Sequence, residues 1–157
     1  MRVVVDTREQ QPYTFEPPRY TLVTTEQDTL ATGDYSLHGL QDKIALERKS
    51  LADLTGTLTT GRDRFQRECE RGRGMDYFGL IIEASIDDVR NHNYRSKMTP
   101  QSLLQTLAAY SIRYNLHIHW CGSRGGGEYM TYSLLGKYLR DITIRLDLVL
   151  KAHGEVV

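Results

Sequence analysis

The sequence predicts an α/β fold with a mixed central β-sheet flanked by helices on both faces, and three observations carry that reading. Short apolar or β-branched runs, RVVVD (2–6) and FGLIIE (78–83), end on turn or charged residues, as buried strands do. A hairpin-like stretch, TGDYSLHGLQDKIALERK (32–49), passes directly into a helical one. Beyond it, strands and helices alternate, with Thr99 as N-cap and Pro100 as first residue of a long helix.

Taken in order, Arg2 to Asp6 is a short buried strand, and the proline-bearing stretch from Gln10 to Pro18 is a loop. Tyr20 to Thr24 is the expected second strand, and the hairpin follows. Ser50 to Leu58 reads as a helix. A second helix runs from Arg62 to Arg71 and is stopped by GRG. Phe78 to Glu83 is the next strand. The helix opened by Thr99 carries Leu103, Leu104, Leu107, Ala108 and Ser111 on one face. Ile118 to Cys121 is a further strand, and SRGGGE (123–128) reads as a flexible loop. A last helix places Leu135, Tyr138, Leu139, Ile142, Leu146 and Val149 at helical spacing. No repeat and no linker divides the chain, so residues 1–157 are expected to form one domain. A chain of that length buries roughly 68–70% of its unfolded surface and needs no staple.

Composition narrows the function only a little. No apolar run approaches a membrane span, and Met1 leads into RVVVD without a signal-peptide core. Cys69 and Cys121 form no CxxC pair, which fits reduced core thiols of an intracellular protein. The expected compartment is the cytoplasm or nucleoid of a prokaryotic or virus-infected cell, or a eukaryotic nucleus. With 20 basic against 20 acidic residues the chain is no general polyanion binder, so local charge placement must decide. Gly136-Lys137 is followed by Tyr, not Ser or Thr, so no phosphate-binding loop and no nucleotide cofactor are expected. His117 and His119 lack matching ligands and read as plain strand residues. Most of the ten tyrosines are expected at the core edge, with hydroxyls in water.

The charged knot Glu47-Arg48-Lys49 ends an apolar strand. Alternation sends Glu47 and Lys49 to one face and Arg48 to the other, with Ala45 beside Glu47 and Ile44 and Leu46 beside Arg48. If the turn is Gly39 to Asp42, facing residue numbers total 81 and Asp34 opposes Glu47. Directly opposed Cβ atoms lie about 4.5–5.5 Å apart, and two carboxylates so close repel unless a cation lies between them. Mg²⁺ keeps several waters and suits two carboxylates plus a substrate phosphate. Lys49 beside it is placed to orient an attacking water. The combination points to phosphodiester hydrolysis, with Asp6, Arg8 and Glu9 entering the same region. A solvated strand end is the plainer alternative for Glu-Arg-Lys, and the facing Asp34 argues against it. Asp53 has two readings, a site residue and the N3 acid of an S-x-x-D cap begun by Ser50. On the helix opened by Gly61-Arg62, Arg64, Arg67 and Arg71 share a stripe that suits a phosphate backbone or a solvated face. Arg62 falls on the Phe65/Cys69 side, toward the site.

The blocks VDTREQ (5–10), GDYSL (33–37), ERKSLADL (47–54) and TGRDRFQRE (60–68) occur in the order seen in the XPF/Hef-type structure-specific DNA endonucleases. The chain resembles that family through its GD…ERKxxxD signature, preceded by VDxRE and followed by a GR-containing helix. The resemblance implies a restriction-endonuclease-like fold that cuts DNA with Mg²⁺ or Mn²⁺. It implies that Asp34 and Glu47 are metal ligands and Lys49 the catalytic lysine. Asp6, Arg8, Glu9, Arg48, Asp53 and Arg62 are the implied surrounding site.

The resulting expectation is a metal-dependent endonuclease acting on branched or flapped duplex DNA in repair or recombination. A non-catalytic DNA-binding partner subunit and a Holliday-junction resolvase or defence nuclease of the same fold are the alternatives. Family members commonly continue into tandem helix-hairpin-helix motifs, and no such module is visible here. A small stand-alone homodimer is therefore expected, with apolar positions on the 99–115 and 128–152 helices as interface candidates.

Overall fold

The computed structural model describes residues 1–154, so 155–157 lie outside it. Six strands form one sheet in the order β2-β1-β3-β4-β5-β6. They are β1 (Arg2–Asp6), β2 (Thr24–Asp28), β3 (Tyr35–Leu37), β4 (Ile44–Lys49), β5 (Tyr77–Ile82) and β6 (His117–Trp120). The helices are α1 (Leu51–Leu58), α2 (Arg62–Gly72), α3 (Ile86–Arg90), α4 (Pro100–Tyr114) and α5 (Arg124–His153). β1 is antiparallel to β3, and β3 to β4, whereas β4, β5 and β6 run parallel. The sheet is therefore mixed, as expected.

Two apolar layers sandwich it. One gathers Ala45, Leu54, Leu58, Phe65, Leu80, Leu103 and Leu107 beneath α1, α2 and α4. The other gathers Val3, Val5, Ile44, Leu46, Ile81 and Leu135 beneath α5 and the 7–23 connection. Alternating residues of β4 thus serve opposite layers. Burying one such side chain contributes about 1.5–3 kcal/mol, so a one-residue slip that turned Ile44 and Leu46 away from their layer is strongly disfavoured. The site inherits its geometry from this lock.

Local signals explain most element boundaries. Ser50 caps α1 by accepting from the Asp53 N–H at 3.1 Å, and Thr99 caps α4 by accepting from the Ser102 N–H at 3.2 Å. A full reciprocal capping box occurs at Ser85–Asp88, opening α3, an element the sequence reading lacked. The buried face of α4 is Leu103, Leu107, Tyr110 and Tyr114, whereas Ala108, expected on it, is exposed. Large aromatics claim the stripe once the helix has neighbours.

Three expectations are corrected. The second strand is Thr24–Asp28, an exposed edge strand parallel to β1, while Tyr20 is a buried plug packed edge-on against Phe15. The apolar signal there came from a loop filling the core. The SRGGGE stretch is the first turn of α5, capped by Ser123, whose Oγ accepts the Gly126 N–H at 3.0 Å. Its glycines serve close approach: a Cβ on Gly126 would lie 2.0 Å from the Cys121 carbonyl oxygen, and one on Gly127 2.3 Å from the Tyr13 hydroxyl. Tyrosines also sit deeper than expected, with Tyr13, Tyr20, Tyr35, Tyr110 and Tyr114 all buried. His117 and His119 are plain strand residues, His117 stacked on Tyr77 and His119 hydrogen-bonded to its hydroxyl at 2.7 Å. Cys69 and Cys121 are free, and burial pushes the Cys69 thiol up to about 12, an inert core thiol. Among the described residues no helix is long and apolar enough to cross a membrane.

Candidate active site

β3 and β4 pair with Tyr35 opposite Leu46, the register that a turn at Gly39 to Asp42 predicts. The connection is longer than the tight turn assumed: Leu40 N–H donates to the Leu37 carbonyl, and Lys43 N–H to that of Leu40. Continuing the ladder one step brings Asp34 opposite Glu47. The Asp34 N–H donates to the Leu46 carbonyl at 2.8 Å, and its Oδ2 accepts the Arg48 N–H at 2.8 Å. The Asp6 N–H donates in turn to the Asp34 carbonyl at 2.8 Å, so three acids line one end of the sheet.

Their side chains fare differently. Asp6 is committed to the scaffold, accepting from Arg8 Nε at 2.8 Å, Arg8 Nη2 at 3.1 Å and the Leu30 N–H at 2.8 Å. Burial opposes its charge, but these donors hold the carboxyl below the usual range. Glu47 is buried and forms an ion pair with Lys49. Burial and then the nearby Asp34 charge raise the Glu47 carboxyl well above its ordinary value. Burial likewise pushes Asp34 up to about 6. Burial disfavours the Lys49 ammonium, yet the Glu47 charge prevails and raises it, so Lys49 stays protonated.

Glu47 and Lys49 face a cavity of about 450 Å³, walled by α1 and α2, with Asp53, Arg64, Phe65 and Glu68 on its lining. Asp53 lies where both readings put it: its N–H donates to the Ser50 cap of α1, and its side chain, which accepts from Ser50 Oγ at 2.7 Å, borders the cavity. Arg64 reaches the cavity. Arg62, expected to point in, is exposed and outside the lining. A helical wheel fixes angles around α2, but not how the helix lies over the sheet. Arg67 and Arg71 are both exposed, but Arg71 is tied down, its Nε donating to the Ala31 carbonyl at 3.1 Å and to Thr32 Oγ1 at 3.3 Å.

Glu68 was not among the residues expected at the site. It lines the cavity, and its Oε1 accepts the Gly33 N–H at 3.0 Å. Its position one turn after Arg64 on α2, on the cavity side, was the only available signal.

Arg48 and Glu9 form a separate cluster on the opposite face. Arg48 Nε and Nη2 donate to Glu9 at 2.9 and 3.2 Å, and Nη1 donates to Glu83 at 3.0 Å. Tyr13 Oη donates to Glu83 at 2.7 Å, and Arg124 lies 3.6 Å from it. The sheet separates this network from the cavity, although Arg48's backbone holds Asp34. Of the implied set, the cavity therefore collects Glu47, Lys49 and Asp53, with Asp34 facing Glu47. Asp6, Arg8, Glu9 and Arg48 brace the strands around them.

The donor set fits a hard divalent cation. Glu47 and Asp34 offer oxygen ligands; burial is the first cause of their raised proton affinity, and a bound cation would offset the cost of holding the two carboxylates charged there. Among the described residues no group of three or more His, Cys, Asp or Glu side chains converges to hold a metal. Two carboxylates would leave the other positions to water and phosphate, the habit of Mg²⁺.

Comparison with known proteins bears on the fold and the family. The chain has the fold of XPF from Aeropyrum pernix, with a TM-score of 0.66, 24% identity, and 88% of this chain and 61% of that chain covered. A second structure, of the same organism's XPF in complex with DNA, matches with a TM-score of 0.63 and 24% identity over 89% of this chain and 66% of the other. The chain thus spans about two thirds or less of the XPF chains it resembles. No curated protein matches it. The ERCC4 domain family model matches residues 5–132, a span that takes in Asp6, Asp34, Glu47, Lys49 and the cavity wall, and the chain belongs to the ERCC4 domain family.

Proposed function

We propose that the protein is a Mg²⁺- or Mn²⁺-dependent endonuclease that cuts phosphodiester bonds in branched or flapped duplex DNA, as a single nuclease unit working in repair or recombination. The observation that carries this reading is Asp34 held by hydrogen bonds to Leu46 and Arg48, the two neighbours of Glu47, with Lys49 ion-paired to Glu47 beside it. Asp34 and Glu47 would hold the ion. When bound, it supplies Lewis-acid stabilisation of the charge that develops on a phosphodiester. Lys49, kept cationic by Glu47, adds a second positive charge toward the same phosphate and orients the water that attacks it. Arg64, on the α2 wall, grips a neighbouring phosphate and holds the strand over the cavity. No group at the site is arranged to read base edges, so selection falls to the shape of the duplex arms.

Labelled flap, splayed-arm and four-way-junction substrates incubated with Mg²⁺ or Mn²⁺ test this reading. Branched substrates are expected to be cut, and a purified protein that cuts none of them sinks it. Paired symmetric nicks on the four-way junction would instead assign a resolvase.

Phosphate contact by Arg64 has a separate signature. In the absence of divalent ions, Arg64→Ala is expected to weaken DNA binding several-fold across all sequences. It should also reduce the slope of log affinity against log salt by about one. A slope identical to the parent's would remove Arg64 from the interface.

The chain is also proposed to act as a homodimer. The last turns of α5 expose Ile144, Leu146, Leu148, Val149 and Leu150, an apolar surface that water alone would cover in a monomer. Arg140, Asp141, Arg145, Asp147 and Lys151 alternate in sign along the same turns, so two antiparallel copies can cross without like charges meeting. Light scattering at micromolar concentration is expected to give twice the chain mass, falling to one chain mass in Leu146→Asp. A single chain mass for the parent rejects the dimer.

A further inference from the structure

We infer that Glu68 is the positioning residue of the site, holding Asp34 opposite Glu47 by pinning the residue before it. Gly33 sits at φ +76°, and a Cβ there would lie 3.0 Å from both the Ala45 Cβ and the Leu46 carbonyl oxygen. Only glycine fits, and glycine is also the residue least able to hold its own conformation. The restraint must come from its neighbours. Asp34 is held from β4, through the Leu46 carbonyl and the Arg48 N–H, each at 2.8 Å. Gly33 is held from α2, where Glu68 Oε1 accepts its N–H at 3.0 Å.

One turn further along α2, Arg71 takes the Ala31 carbonyl and Thr32 Oγ1. The two side chains therefore grip three consecutive residues, Ala31, Thr32 and Gly33, from one helix. That grip couples the wall carrying Arg64 to the strand carrying Asp34. A carboxylate is the stronger acceptor for such a buried N–H, because the bond is charge-assisted. Glu68 touches no reacting atom in this role; it acts through Gly33 on Asp34.

The activity arm of the test rests on the nuclease reading, and the structural arm does not. Glu68→Gln keeps an acceptor oxygen at the same reach, whereas Glu68→Ala and the similar-length Glu68→Met remove it. Hydrogen exchange of the Gly33 amide, followed by NMR, is expected to stay slow in the parent and in Glu68→Gln. It should quicken at least about tenfold in Glu68→Ala and Glu68→Met. On a flap substrate, the Ala and Met variants are expected to lose about 10- to 100-fold in kcat with little change in KM, and the Gln variant to recover most of it. Unchanged Gly33 exchange in the Ala and Met variants overturns the inference. So does a Gln variant as slow to cut as Ala, which would assign the effect to charge. Should the parent cut no DNA, the nuclease reading fails and Gly33 exchange alone decides the positioning role.

Discussion

Asp34→Asn is expected to lower metal-dependent cleavage on the order of 10²–10³-fold while leaving the fold intact. The estimate follows from several kcal/mol of transition-state stabilisation by a held cation, at about 1.4 kcal/mol per tenfold. Asparagine keeps an oxygen to accept the Arg48 N–H, so the strand stays in place and the change isolates one charge. Steady-state cleavage of a flap substrate measures it, and undiminished cutting removes Asp34 from the site.

The same variant carries a stability signature. Burial pushes Asp34 up to about 6 from an ordinary 3.8, so between these values the folded chain keeps a proton that the unfolded chain has released. The buried charge therefore costs nothing below about pH 4, and its cost is fully present above about pH 6. Asparagine never ionises. Relative to Asp34→Asn, the metal-free parent should lose melting temperature as pH rises from 4 to 7, and added Mg²⁺ should recover the loss. A gap that does not move with pH would place Asp34 in water.

Arg48→Leu carries the largest expected effect on stability. The guanidinium lies between Glu9 and Glu83, and all three side chains are at most 9% exposed. Although burial opposes its charge, Glu9 and Glu83 raise the affinity of Arg48 for its proton, and Arg48 in turn lowers the Glu9 carboxyl against the same opposition. Removing the cation strands two buried carboxylates, a change that costs about 3–5 kcal/mol. Urea melts at neutral pH measure it, and the deficit should shrink as acid neutralises the glutamates. A variant that loses cleavage but no stability would move Arg48 from the scaffold to the chemistry.

Most of this fold is legible in single stretches of sequence. Period-2 alternation in IALERK assigned Ile44, Leu46 and Arg48 to one face and Ala45, Glu47 and Lys49 to the other. The β3–β4 register then put Asp34 before Glu47. Ser50 and Thr99-Pro100 marked their helix starts because a cap acts within four residues of itself. At these places one element alone settles the outcome, and the reading and the structure agree; α3 is the exception, since its equally local Ser85–Asp88 box was passed over.

Disagreement begins where a segment is decided by what lies against it. GGG lies in the first turn of α5, begun by the Ser123 cap, and Gly126 and Gly127 let that turn approach the Cys121 carbonyl and the Tyr13 hydroxyl too closely for a side chain. Tyr20 left the sheet to fill a core that β2, all polar, could not fill. Arg62 missed the cavity and Arg64 entered it, since the tilt of α2 is set by packing.

By itself, the sequence determined the strand alternation, the helix caps, and the pairing of one acid with another beside a lysine. The contact of Glu68 with Gly33, the ties of Arg48 to Glu9 and Glu83, and the hold of Arg71 on Ala31 and Thr32 belong to tertiary structure alone. Each joins residues more than thirty positions apart, and no local period or cap records a contact across that separation. Only the packing of helix on sheet brings them together.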